Sequence, residues 1–218
     1  MKSVILTSAV LLMALCVVPA AAAPIQALTI TVASNNGAGD YDLGYMIKPV
    51  VNIQVTALGY FSAKREWSDA NLIGDHEVAL FSTDGNHVKL ASVVINSSDT
   101  FGGEPNTSLD SWYWEDLASP VSLEANTVYM MCGSQYGDYW NSNVSLTTDA
   151  NYIVIANPGG ATGNGFYTLS SDTAANYPDT GHGEYGFFTS NLKFVPEPAT
   201  MALLALGGVA LIRRRRRV

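Results

Sequence analysis

The segment Tyr136-Gly137-Asp138-Tyr139-Trp140-Asn141 sets three aromatic rings beside a carboxylate and an amide. Rings of this kind stack on the C–H face of a sugar while the polar groups bond its hydroxyls. Tyr136, Asp138, Tyr139, Trp140 and Asn141 therefore form a candidate glycan-binding set, expected on a loop. A second cluster, Asn35-Asn36-Gly37-Ala38-Gly39-Asp40-Tyr41-Asp42, gathers oxygen donors around flexible glycines in one loop. Calcium takes such oxygen ligands, and Asn35, Asn36, Asp40 and Asp42 are its candidate donors. The spacing does not match the twelve-residue loop of helical-hand calcium sites, and an ordinary polar connection is the competing reading. No other cofactor is indicated.

The residue types of catalysis are present without the spacing of catalysis. His76, His87 and His182 form no pair three or four residues apart with a carboxylate between them, so no zinc signature stands here. Gly133-Ser134-Gln135-Tyr136-Gly137 looks superficially like a nucleophile elbow, but the serine directly follows the first glycine and no strand-to-helix turn is predicted. Cys132 lies in the apolar run Thr127 to Cys132 and reads as a small buried hydrophobe rather than a nucleophile. Paired acids could support glycoside hydrolysis, yet pairing through space is invisible in a sequence. The chain is read as non-catalytic.

The elements that must position these residues are strands. Val51, Ile53, Val55 and Ala57 alternate with polar residues, as does Leu28 to Val32, the pattern of strands with one buried face. Val78 and Leu80 precede the turn-rich Ser82-Thr83-Asp84-Gly85-Asn86, and Val88 and Leu90 resume the buried face, which predicts a hairpin. Further strands are predicted over Leu90–Ile95, Trp112–Leu117, Thr127–Cys132, Val144–Thr147, Tyr152–Ala156, Phe166–Leu169 and Tyr185–Phe194. On such a strand Trp112 and Trp114 share a face opposite Tyr113, either filling the core or offering a sugar platform. Many short strands between turn signals, with no helical stretch of any length, point to an all-β protein: an antiparallel β-sandwich, jelly-roll-like.

Both ends of the chain carry transport signals. Lys2, the apolar stretch Val4 to Val18 and the small residues Ala20 to Ala23 predict a signal peptide over 1–22, removed by signal peptidase after Ala21 or Ala22. Leu15 stands where a lipobox requires a small residue, so Cys16 is not a lipidation site. At the other end Pro196-Glu197-Pro198 precedes an apolar run Ala199 to Ile212 and then Arg213, Arg214, Arg215, Arg216 and Arg217. Fourteen residues of helix span roughly 21 Å, against a hydrocarbon core of about 30 Å. Such a helix suits a temporary anchor, with the arginine stems reaching to the headgroups. Basic residues favour the cytoplasmic side. The domain between, 23–195, is thus expected outside the inner membrane and the tail 196–218 transiently within it.

Between the two signals stand Lys48, Lys64, Arg65, Lys89 and Lys193 against eighteen acids, a balance of −13. So acidic a domain repels nucleic acid, which is excluded as a partner. With Cys132 its only cysteine, it cannot close an internal disulfide. A length of 173 residues suits one domain with an ample core.

The Pro-Glu-Pro box, apolar stretch and basic end resemble, in that order, the PEP-CTERM sorting signal of exported bacterial proteins. The resemblance covers Val195 to Val218 and implies that an exosortase-type transpeptidase cuts near the box. Proline on both sides of Glu197 would hold that segment extended for the enzyme's cleft. From about Pro49 to Tyr136 the chain also resembles a bacterial extracellular β-sandwich domain of unknown function. The matching residues are Val55 to Phe61, His76 to Phe81 with Asp84-Gly85, Leu90 to Val93, Trp112 to Trp114, Pro120 to Leu123 and Asn126 to Tyr129. Longer inserts, Lys64–Asn71 and Asp99–Leu109, set this chain apart. The expected protein is an exported cell-surface or matrix component, non-catalytic, contacting extracellular polysaccharide. A secreted glycan-active hydrolase and a purely structural coat domain are the alternatives.

Overall fold

The structure, a computed structural model, describes residues 23–61, 72, 74–102, 112–135, 139–156, 165–182 and 189–197. The expected signal segment 1–22 and the tail beyond Glu197 lie outside the described residues. All regular structure described is antiparallel strand, and no helix there is long and apolar enough to cross a membrane.

Five strands make one sheet, in the order β1 (Ile25–Gln26), β14 (Ser190–Pro196), β4 (Ile53–Phe61), β8 (Trp112–Leu123) and β7 (Thr100–Gly102). A seven-stranded sheet runs β13 (Thr180–His182), β12 (Gly165–Leu169), β3 (Tyr41–Pro49), β9 (Tyr129–Ser134), β5 (His76–Ser82) and β6 (Lys89–Ile95), with β11 (Ile153–Ala156) also on β3. A separate ladder joins β2 (Thr29–Ala38) to β10 (Tyr139–Thr147). Alternating side chains of the two large sheets meet in one core: Ile53, Val55, Leu123, Leu192 and Phe194 from the first, Tyr45, Ile47, Val78, Leu80 and Met131 from the second. Burying this apolar surface is the main force holding the sheets together.

A bulge in β4 changes which residues feed that core. The register slips between Val55 and Ala57 against β8, and at the same place against β14. An extra residue in one strand reverses the side to which later side chains point. Ile53 and Val55 face inward before it, and Tyr60 after it, where its ring reaches His76 of the opposite sheet. Gly59 and Phe61 therefore turn to the other face of the sheet together with Trp112 and Trp114, and the three side chains stay buried there. Phe61 meets Trp112 edge-on at 5.2 Å and Trp112 lies 6.0 Å from Trp114. Gly59 leaves the space that Trp114 fills, for a Cβ there would stand 2.6 Å from its ring. Lys193 Nζ sits 4.3 Å above the same ring, within cation–π range.

The central strands β3, β9 and β5 of the seven-stranded sheet are buried on both faces. Met46, Ala79, Phe81, Met130 and Cys132 form a second apolar layer on its outer side. Over them runs the segment 170–178, contributing Ala175 and Tyr177, while Pro178 packs against Gly44.

Most predicted strands are found, among them the hairpin of β5 and β6, paired Val78 to Val93 and Leu80 to Ala91. Val88, expected on the buried face, is instead exposed after the turn, while Leu90, expected there too, packs half-buried against the core and Ile95 is fully buried. The strand expected over Trp112–Leu117 continues to Leu123. Trp112, Tyr113 and Trp114 are all buried, so this segment is core rather than a sugar platform. The loop expected over Asn35–Asp42 is a correction: Asn35 and Asn36 belong to β2 and Asp42 to β3, leaving only Gly39 and Asp40 between the strands. The loop expected over Tyr136–Asn141 is likewise shorter, since Tyr139, Trp140 and Asn141 begin β10.

Candidate functional site

Strand direction sorts the connections into two poles. Tyr60 pairs with both Ser190 and Tyr113, and Val78 with Gly133. The end of β4, the starts of β5, β8 and β14 and the end of β9 thus gather at one pole. The Gly39–Asp40 turn joins them there, because Gln135 N–H donates to Tyr41 O at 2.8 Å and Ser170 N–H to Asp40 O at 3.0 Å. Four stretches of chain depart from or return to this pole by connectivity: 62–71, 103–111, 136–138 and 183–188. The opposite pole carries the turns at Val50–Asn52 and Glu124–Asn126, and also Pro196 and Glu197, paired to Ile53 and Asn52.

Beneath the first pole the core turns polar. His76, Ser134, Gln135, Thr189, Ser190 and Asn191 are buried there. Burial of polar groups is tolerated only with partners. His76 Nδ1 lies 3.0 Å from Ser134 O, and Tyr45 donates its hydroxyl to Ser190 O at 2.8 Å. Burial pushes the Tyr45 phenol far above its ordinary value, so it stays a donor. Asn191 closes the edge beside β1, its Nδ2 donating to Leu28 O at 2.9 Å while its Oδ1 accepts from Leu28 N–H at 3.1 Å.

Two carboxylates fasten the segment 170–178 across the outer layer. Asn176 Nδ2 donates to Asp42 Oδ2 at 3.0 Å, and Ala175 N–H donates to Glu77 Oε2 at 2.8 Å. Burial pushes the Asp42 carboxyl up to about 6; hydrogen bonds from Asn176 and Ser134 pull it partway back, and Asp172 adds repulsion. Glu77 goes the other way. Its burial raises it, but Ser92, Lys89 and the Ala175 N–H together hold it below its ordinary value. Lys89 Nζ stands 2.9 Å from Glu77 Oε1. Both acids thus fasten the strap to the sheet.

The candidate residues are distributed as follows. Asn141 pairs with Asn35 and Tyr139 with Ala38 on the β2–β10 ladder, so the calcium set and the glycan set share two strands. Asp40 is exposed in the turn, whereas Asp42 is buried and engaged by Asn176. No group of three or more histidine, cysteine, aspartate or glutamate side chains suited to a metal occurs among the described residues. Tyr136, Asp138, Pro198 and Arg213 to Arg217 lie outside them. Pro196 ends β14, and Glu197 follows it, tied to Asn52. Asn52, Asn176 and the 170–178 strap carry no mark of their role in the sequence, where isolated polar residues give no sign of burial, and His76 reads there only as a histidine outside any zinc spacing.

Two comparisons bear on this arrangement. Residues 27–189 match the family described as Domain of unknown function (DUF4082). Residues 194–217 match the PEP-CTERM protein-sorting motif. No curated protein matches the chain.

Proposed function

From the premise that this chain belongs to the DUF4082 family and carries a PEP-CTERM sorting motif, we propose that it is a non-catalytic β-sandwich module of the cell surface or extracellular matrix that binds polysaccharide. The motif itself implies export and sorting by an exosortase at the membrane. Signal peptidase removes 1–22, and the tail helix with its arginines holds the chain in the inner membrane until sorting. The finer reading is carried by one observation: the chain runs out of β9 at the pole opposite the sorting motif and enters β10 at Tyr139-Trp140-Asn141, the aromatic and polar segment of the sequence. Binding surfaces of β-rich modules are built on the segments joining strands at one end of a rigid scaffold. An acidic domain there suits neutral sugars, read by stacking and hydroxyl bonds, better than anionic polymers.

Glycan arrays probed with the full chain and with Trp140→Ala and Asp138→Ala test this. Binding that weakens about tenfold or more in either variant, with no reducing sugar released, is the expected result, on the scale of one lost stacking ring. No binding to any glycan would favour a coat or spacer role. Release of reducing sugar that stops when one carboxylate is changed would make the protein a hydrolase.

A further inference from the structure

The sorting motif begins inside the folded domain. Pro196 is the last residue of β14 and pairs with Ile53 of β4. The next residue continues the ladder: Glu197 N–H donates to Asn52 O at 3.0 Å. Its carboxylate is held by the same neighbour, Asn52 Nδ2 donating to Glu197 Oε2 at 3.3 Å. Asn52 is itself oriented, because its Oδ1 accepts the Ala125 N–H at 2.9 Å. That bond fixes which end of the amide is oxygen, so the nitrogen must face the glutamate. The Glu124–Asn126 turn that supplies the N–H is braced in turn by Asn126 N–H on Pro49 O at 2.7 Å. The acidic residue of the motif is therefore gripped through both its backbone and its side chain by one residue of the β3–β4 turn.

An enzyme that reads an extended peptide in a cleft needs the backbone N–H and the side chain that it recognises. Both are engaged at Glu197. Proline at 196 offers no N–H of its own to the ladder, so the N–H of Glu197 makes the next rung, to Asn52 O. We propose that Asn52 is a positioning residue for sorting: it latches Glu197 to the folded domain, and the exosortase engages the motif only after the contacts of Asn52 with Glu197 open. The latch rests on the reading that the PEP-CTERM motif of this chain is processed. One backbone hydrogen bond and one exposed side-chain hydrogen bond favour the closed form by about tenfold. Such a latch slows sorting without blocking it, and leaves the motif docked on a domain that has already folded.

The test uses the full chain in cells carrying a cognate exosortase, with pulse–chase measurement of cleaved and uncleaved forms and intact mass of each. Asn52→Asp keeps an oxygen for the Ala125 N–H but turns a carboxylate toward Glu197, replacing attraction by repulsion. It should speed cleavage about three- to tenfold, with Asn52→Ala moving the rate the same way by a smaller factor. Melting curves of the purified variants separate this from general loosening: the rate should change while the melting temperature stays within about 3 °C of the parent. A variant with alanine at 196, 197 and 198 should not be cleaved. If that triple variant is blocked while Asn52→Asp and Asn52→Ala are cleaved at the parent rate or more slowly, the latch is overturned and sorting stands. If the triple variant is cleaved like the parent, the sorting reading falls and the latch with it.

Discussion

The imidazole of His76 lies flat against the ring of Tyr60, with centroids 4.2 Å apart and planes 11° from parallel. This contact joins the first residue of β5 to the end of β4, across the two sheets, at the pole from which the long connections leave. His76 also serves the Ser134 carbonyl at 3.0 Å. His76→Ala should therefore remove a stacked ring and leave a buried carbonyl without its partner, at a cost of about 2–4 kcal/mol. Denaturant unfolding checks it; a loss under about 0.5 kcal/mol would mean that the stack holds nothing together.

Stability should peak in mildly acidic solution. Asp42 is raised to about 6 by burial from an ordinary 3.8, so the folded state holds its proton more tightly than the unfolded chain. Its contribution is full below 3.8 and is lost as pH rises through about 6. Glu77 is held below its ordinary 4.5, chiefly by Ser92 and Lys89 against its own burial, and its contribution is lost as pH falls below that value. The two together place the maximum near the ordinary values of the two groups, between about 3.8 and 4.5, with stability falling from there as pH rises to about 6. Asp42→Asn should flatten the alkaline side and gain on the order of 1–2 kcal/mol at neutral pH. Melting temperatures across the range decide it, and an unchanged alkaline slope in the variant would contradict the assignment.

Gly59→Ala should cost about 1–3 kcal/mol through overpacking, because the added methyl meets the Trp114 ring at 2.6 Å. A smaller residue at 114 should relieve part of that cost. A double-mutant cycle with Trp114→Leu measures the coupling, and simple additivity would show that the two positions do not share the space.

Cys132 is enclosed, donates to Asn176 O at 3.2 Å, and has its thiol raised well above the ordinary value by burial, with the nearby Asp42 adding to it. Maleimide labelling of the native protein should run at least roughly a hundredfold slower than in denaturant. Rapid native labelling would place the 170–178 strap away from the sheet.

What the sequence disclosed follows from which faces the structure buries. β6 and the first half of β4 keep a wetter side and show it by alternation. β3 was not foreseen, although it sits centrally in the larger sheet, because the strap covers its outer side and Asp42, Gly44 and Met46 lie buried beside Leu43, Tyr45 and Ile47. A strand dry on both sides has no period to read. The change of face in β4 was hidden for a related reason: a bulge is a fact of pairing, and no residue in Ile53–Phe61 signals it alone. Pro196-Glu197-Pro198 was legible as a motif, since three unlike features follow one another there. Its attachment was not, because Asn52 lies 145 positions away and reads as an ordinary turn residue.

The folded unit has both its leads at one foot. β1 runs beside β14, with Ile25 opposite Phe194 and Gln26 opposite Lys193, so the chain comes in where it goes out. Tension applied through those two leads would peel a pair of rungs at one corner and leave the aromatic and aliphatic interior unloaded.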